Sequence, residues 1–137
     1  MKISGIALMC GNARMRDIDR VGGVLIVDDN AAFRSVARTV LEAGGYRVMA
    51  EVGTGAAALL AAAQVKPDVV LLDIGLPDQD GFVTCRQLHA AHPDLVVVFC
   101  SIREEEEYGD AIARSSAAGF LAKAQLSADE LRRIVAA

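Results

Sequence analysis

From Val24 onward the chain alternates short apolar runs with amphipathic stretches, five times over, and few folds can use such a pattern. Val24–Val27, Tyr46–Val52, Val69–Leu72, Leu95–Cys100 and Gly119–Ala122 have the length and apolar character of strands. Asn30 is placed to cap a helix whose Phe33, Val36, Ala37, Val40 and Leu41 recur at three-four spacing, and Gly44-Gly45 ends it. Ala56–Val65 reads as an alanine-rich helix stopped before Pro67, and Phe82–Ala91 as a third helix. Glu104–Ala117 reads as a weaker one, acidic at its start and poor in large apolar residues. Ser127-Ala128-Asp129-Glu130 has the form of a capping box opening the last helix. Val69-Val70-Leu71-Leu72 is apolar on both faces, as a central parallel strand must be. Five strands alternating with five helices predict an α/β doubly wound parallel sheet.

Such sheets bind ligands in the crevice at the carboxyl ends of the strands, where strand order reverses. The residues that follow the strands therefore carry the chemistry: Asp28-Asp29 after the first, Asp73 after the third, Ser101 after the fourth and Lys123 after the fifth. Three carboxylates gathered at one edge raise each other's pKa unless a cation intervenes. A hard divalent ion such as Mg²⁺ suits oxygen ligands. A lysine and a hydroxyl arriving from the other side are suited to gripping phosphoryl oxygens, an arrangement for phosphoryl transfer.

These residues stand in motifs. Val24-Leu25-Ile26-Val27-Asp28-Asp29, Asp68-Val69-Val70-Leu71-Leu72-Asp73-Ile74-Gly75-Leu76-Pro77 with Asp80-Gly81-Phe82, Ser101, and Gly119-Phe120-Leu121-Ala122-Lys123 occur in that order. In this the chain resembles the response-regulator receiver family over roughly residues 23–136, most of all the NarL/FixJ-type receivers of two-component systems. The resemblance implies a (βα)5 flavodoxin/CheY-like fold with strand order 2-1-3-4-5. It implies that Asp73 is the phosphoacceptor, that Asp29, Asp73 and the backbone carbonyl of Gly75 ligate Mg²⁺, and that Asp28 acts through a metal-bound water. Lys123 would pair with the phosphoryl oxygens and Ser101 would hydrogen-bond one of them. Phe120 would be a switch, its ring turning inward as Ser101 moves, so that the face formed by the fourth helix, the fifth strand and the last helix signals to an output. The implied partners are a sensor histidine kinase or a phosphotransfer protein, with a homodimer as a further expectation. The helix-turn-helix output usual in such regulators is not contained in these residues, so a stand-alone receiver and part of a longer regulator both stay open. Ala124 stands where the family often has proline, so a cis peptide is not assumed there. Ile102 is bulky where a small residue eases access to the phosphorylation site.

Rival readings exist. Gly53-Thr54-Gly55-Ala56-Ala57-Ala58 matches the dinucleotide-binding fingerprint after a strand, with Asp73 placed like a ribose-binding acid. That reading leaves Asp28, Asp29 and Lys123 without a task. A haloacid-dehalogenase-like phosphatase needs a second acid two residues after the nucleophile, where this chain has Gly75. A degenerate receiver that only binds partners is opposed by the complete set of Asp29, Asp73, Ser101 and Lys123. Asp78 and Asp80 are expected to be turn formers, and His89 and His92 to face solvent.

Composition limits the rest. The 137 residues suffice for one domain, and 53% hydrophobic content makes it globular. Aromatics are only 4%, so alanine, valine and leucine must fill the core. A net charge of -4 argues against a nucleic-acid surface on this domain. Cys10, Cys85 and Cys100 form no metal or disulfide pattern, which suggests a reducing compartment, and Cys100 reads as a small buried hydrophobe. No run approaches the ~18 apolar residues that a membrane span needs, so the expected location is cytoplasmic. Residues 1–22 do not conform to the pattern and are expected to be a partly disordered tail, leaving 23–137 as the receiver domain.

Overall fold

A computed structural model describes residues 22–137; the expected tail lies almost wholly outside them. The strands are β1 (Gly23–Val27), β2 (Arg47–Val52), β3 (Val69–Asp73), β4 (Val96–Ser101) and β5 (Gly119–Ala122). The α-helices are α1 (Ala31–Ala43), α2 (Gly55–Val65), α3 (Gly81–Ala91), a short α4 (Ala111–Arg114) and α5 (Ala128–Ala136). All five strands are parallel, in the order β2-β1-β3-β4-β5. The order expected from the sequence holds.

The continuous apolar runs are explained by burial on both faces of the sheet. Leu25, Val27, Val70, Leu72, Val97 and Phe99 point into one core, packed against Ala58, Ala62, Cys85 and Leu88 of α2 and α3. Their neighbours Val24, Ile26, Val69, Leu71, Val98 and Cys100 point into the other, against Ala37 and Leu41 of α1 and Leu131 and Ile134 of α5. Cys100 is buried as expected, and burial pushes its thiol up to about 12.

Asn30 caps α1 by accepting from Phe33 N, and Ser127 caps α5 by accepting from Glu130 N. The Glu130 carboxylate does not complete a capping box; it pairs with Arg133 instead. In α1 the expected apolar face is divided. Ala37 and Leu41 are buried, whereas Val36 remains 57% exposed.

The structure corrects two further expectations. The helix expected over Glu104–Ala117 is broken into a 3-10 turn, Glu105–Tyr108, and the four-residue α4. Gly109 between them has φ +60, a conformation that interrupts a right-handed helix and suits glycine. Only Ile112 in α4 is buried, so no apolar stripe holds a longer helix to the sheet. The second correction is His89, which does not simply face solvent. Its Nε2 lies 2.7 Å from the Leu95 carbonyl and its Nδ1 2.5 Å from Ser116 Oγ, joining α3 to the segment before β5.

Candidate functional site

The strand order reverses between β1 and β3, and the acidic residues lie where their carboxyl ends open the crevice. Carboxylate oxygens of Asp28, Asp29 and Asp73 lie within 4.8 Å of one another. Asp28 and Asp73 are 1% and 8% exposed, while Asp29 is open to solvent. Asp28 Oδ1 accepts from the Asn30 amide at 2.9 Å, and Asp73 Oδ1 from the Gly75 amide at 3.3 Å.

Lys123 follows β5 and reaches over the sheet edge. Its Nζ lies 2.6 Å from Asp28 Oδ2 and 4.0 Å from Asp73 Oδ2. Asp28 Oδ2 is buried with no hydrogen-bond donor in line, so the ammonium meets it as a charge rather than as a directed bond. One ammonium thus meets two of the three carboxylates. Burial, and next the Asp28 carboxylate, push the Asp73 carboxyl above the usual carboxylate range; Lys123 and the Gly75 amide oppose the rise. A cluster of hard oxygen donors with excess negative charge fits a small divalent cation.

Two contributors escaped the sequence reading. Phe33 packs at the edge of the core of α1 and α5, as its spacing on α1 predicts, and its ring also lies 4.3 Å from Lys123 Nζ, presenting a π-face to the site's cation. Tyr108 places its hydroxyl 2.6 Å from Ser101 Oγ. A four-residue position with no regular helix pattern carried no signal for it. Ser101 is buried at the end of β4 and also accepts from the Arg103 amide at 3.1 Å. Phe120, on β5, is half-buried with its ring 5.9 Å from that of Tyr108. Ile102 is 81% exposed and borders an apolar groove with Phe33, Val36, Val40 and Lys123. Among the described residues every peptide bond is trans, that before Ala124 included.

The loop between Asp73 and α3 is held by its own acids. Asp80 caps α3 by accepting from Val83 N. Asp78 does more than form a turn, for its two oxygens accept from Gly55 N and Ala56 N at 2.9 and 3.0 Å. This disposes of the dinucleotide reading: the anion seat at the start of α2 is filled by the chain's own carboxylate. Gly55 is small for the same packing. A Cβ there would come within 2.6 Å of Gln79 Nε2 and Thr84 Oγ1.

A five-stranded parallel sheet of this order, with an acidic trio and a lysine at its carboxyl edge, defines a CheY-like receiver fold. The response regulator receiver domain profile matches residues 24–136, and the chain belongs to that family. Among relatives, the response regulator GacA of Pseudomonas viridiflava is 34% identical over 101 residues, 73% of this chain and 47% of GacA. The KDP operon transcriptional regulatory protein KdpE of Escherichia coli is 43% identical over 100 residues, 73% of this chain and 44% of KdpE. The chain thus spans about half the length of the curated relatives it matches. Of solved structures, the receiver domain of the response regulator NarL from Mycobacterium tuberculosis superposes with TM-score 0.75 at 27% identity, covering 86% of this chain and 99% of that one. No helix among the described residues is long and apolar enough to cross a membrane.

Proposed function

We propose that this receiver is phosphorylated on Asp73 by a partner histidine kinase or phosphotransfer protein in a Mg²⁺-dependent, cytoplasmic reaction. The observation that carries the reading is the placement of Lys123 Nζ against both Asp28 and Asp73 at the reversal of strand order. An Asp73 carboxylate oxygen attacks the phosphorus of the donor. The P–O or P–N bond to the leaving group breaks, and an acyl phosphate forms. Attack of water on that phosphorus returns the carboxylate and releases inorganic phosphate. Lys123 neutralises charge on the transferred group, and Ser101 donates a hydrogen bond to one of its oxygens.

Asp29, Asp73 and the Gly75 carbonyl would hold Mg²⁺, with Asp28 acting through a water. The bound ion supplies charge neutralisation between carboxylate and phosphoryl oxygens. The consequence is a shift of the face formed by the Glu105–Arg114 segment, β5 and α5 toward a form that an output partner or domain reads, with Phe120 moving as Ser101 does. The domain acts as a phosphoacceptor rather than a turnover enzyme.

Intact mass after incubation with acetyl phosphate tests this. A phosphoryl adduct is expected on the wild type with Mg²⁺, absent without the ion and absent from Asp73→Asn. Equal adduct yield in Asp73→Asn would refute the assignment.

A further inference from the structure

Ser101 does not rest free. A serine hydroxyl has one proton to give and two lone pairs to offer. Here Oγ is held between the Arg103 amide at 3.1 Å and the Tyr108 hydroxyl at 2.6 Å. None of its hydrogen bonds goes to Asp28, Asp29, Asp73 or Lys123. The Tyr108 ring is fixed as well, its centroid 6.2 Å from that of Phe82 and 5.9 Å from that of Phe120. Phe82 in turn packs at 4.9 Å on the fully buried Phe99. An aromatic layer therefore runs from the core to Phe120, and Tyr108 joins Phe82 to Phe120 within it.

We propose that Tyr108 is a latch on Ser101: a positioning residue that holds the serine hydroxyl in its resting place and must release it before that hydroxyl can serve a phosphoryl group. This rests on the reading of Asp73 as the phosphoacceptor. Whichever of the two oxygens supplies the shared proton, turning Oγ toward Asp73 breaks a 2.6 Å contact. Releasing Tyr108 also opens the gap between Phe82 and Phe120, the space an inward-turning Phe120 ring needs. The segment that carries Tyr108 is a 3-10 turn followed by Gly109 and a four-residue helix, anchored to the core through Tyr108 and Ile112. Such short 3-10 elements are weakly bonded and open readily. Loss of one contact thus couples the phosphoryl group to the repacking of a whole surface segment, as a bistable element requires.

Tyr108→Phe tests the latch because it keeps the ring and removes the hydroxyl. Titration with beryllofluoride and Mg²⁺, followed by NMR of residues 101–123, is expected to reach half-maximal response at about fivefold lower concentration than in the wild type, the worth of one hydrogen bond. A packing role alone would leave that midpoint unmoved. Hydrogen exchange of residues 103–110 in the free protein is expected to quicken by a similar factor, independently of any phosphoryl chemistry. In a Ser101→Ala background Tyr108→Phe is expected to change neither quantity. An unchanged or raised midpoint in the single variant, or unchanged exchange in the free protein, would overturn the latch. Absence of a phosphoryl adduct on the wild type, with exchange still quickened, would instead overturn the phosphoacceptor reading and leave the Tyr108–Ser101 restraint established.

Discussion

Replacing Lys123 by methionine keeps the apolar stem and removes the ammonium that meets Asp28 and Asp73. The lysine side chain is 14% exposed, and its partners Asp28 and Asp73 are 2% and 11% exposed. At an effective dielectric of about 20, unit charges at the two observed separations attract by roughly 6 and 4 kcal/mol before desolvation is counted. Desolvation cancels much of this, and removing one partner of a buried pair costs about 3–5 kcal/mol net. For a domain of this size each kcal/mol moves the melting temperature by roughly 3–6 °C, so metal-free Lys123→Met is expected to melt roughly 10–25 °C lower. Mg²⁺ at about 100 times its dissociation constant stabilises a folded protein by about 2.7 kcal/mol. The variant presents a more negative site, so a given Mg²⁺ concentration should raise its melting temperature more than that of the wild type. Differential scanning calorimetry with EDTA and across a Mg²⁺ series measures both effects. An equal loss at every Mg²⁺ concentration would show that Lys123 stabilises by packing and not by balancing the acidic cluster.

The raised Asp73 carboxyl fixes a pH dependence whose sign can be worked out. A carboxyl raised in the folded state contributes stability that is fully present below about pH 4, its unfolded range, and lost as pH climbs through the raised value. Metal-free Asp73→Asn should therefore match the wild type in urea near that pH and become the more stable by pH 7; a gap independent of pH would contradict the burial argument. Phe33→Leu should cost about 1 kcal/mol by removing the ring face from Lys123. That loss should vanish in a Lys123→Met background, and urea melts of the four proteins form the cycle; an equal loss in both backgrounds would assign Phe33 to packing alone.

The strands, the acidic trio and Lys123 were legible because each depends on a short local pattern, whereas the strand order followed only from the family that those patterns resemble. An apolar run followed by Asp or Lys needs no knowledge of what lies across the sheet. Phe33 and Tyr108 were not legible, for opposite reasons. Phe33 satisfied the three-four periodicity of α1, and its position beside Lys123 arises only when β5 is laid three strands from β1. Tyr108 sits in a turn without periodicity, and its partners Phe82, Phe120 and Ser101 come from three other elements. The Glu104–Ala117 helix failed because acidic capping cues outvoted Gly109, whose positive φ decides the local path. The glycine fingerprint before α2 was real as backbone geometry but answered to an internal acid, Asp78, rather than to a phosphate.

Because successive residues of β1, β3 and β4 face opposite sides, the sheet works as a partition between two separately packed compartments. The compartment of α1 and α5 backs Phe33, while that of α2, α3 and the Tyr108 layer backs the Glu105–Arg114 segment. Substitutions confined to one compartment share no side-chain neighbours with those in the other, so their effects should combine additively. Surface identity on the side of the Glu105–Arg114 segment can therefore diverge, or be grafted from a related chain, without redesign of the side that supports Phe33. Ser101 and Asp73 sit at the rim where the compartments meet, and only at such rim positions must a graft respect both donors at once.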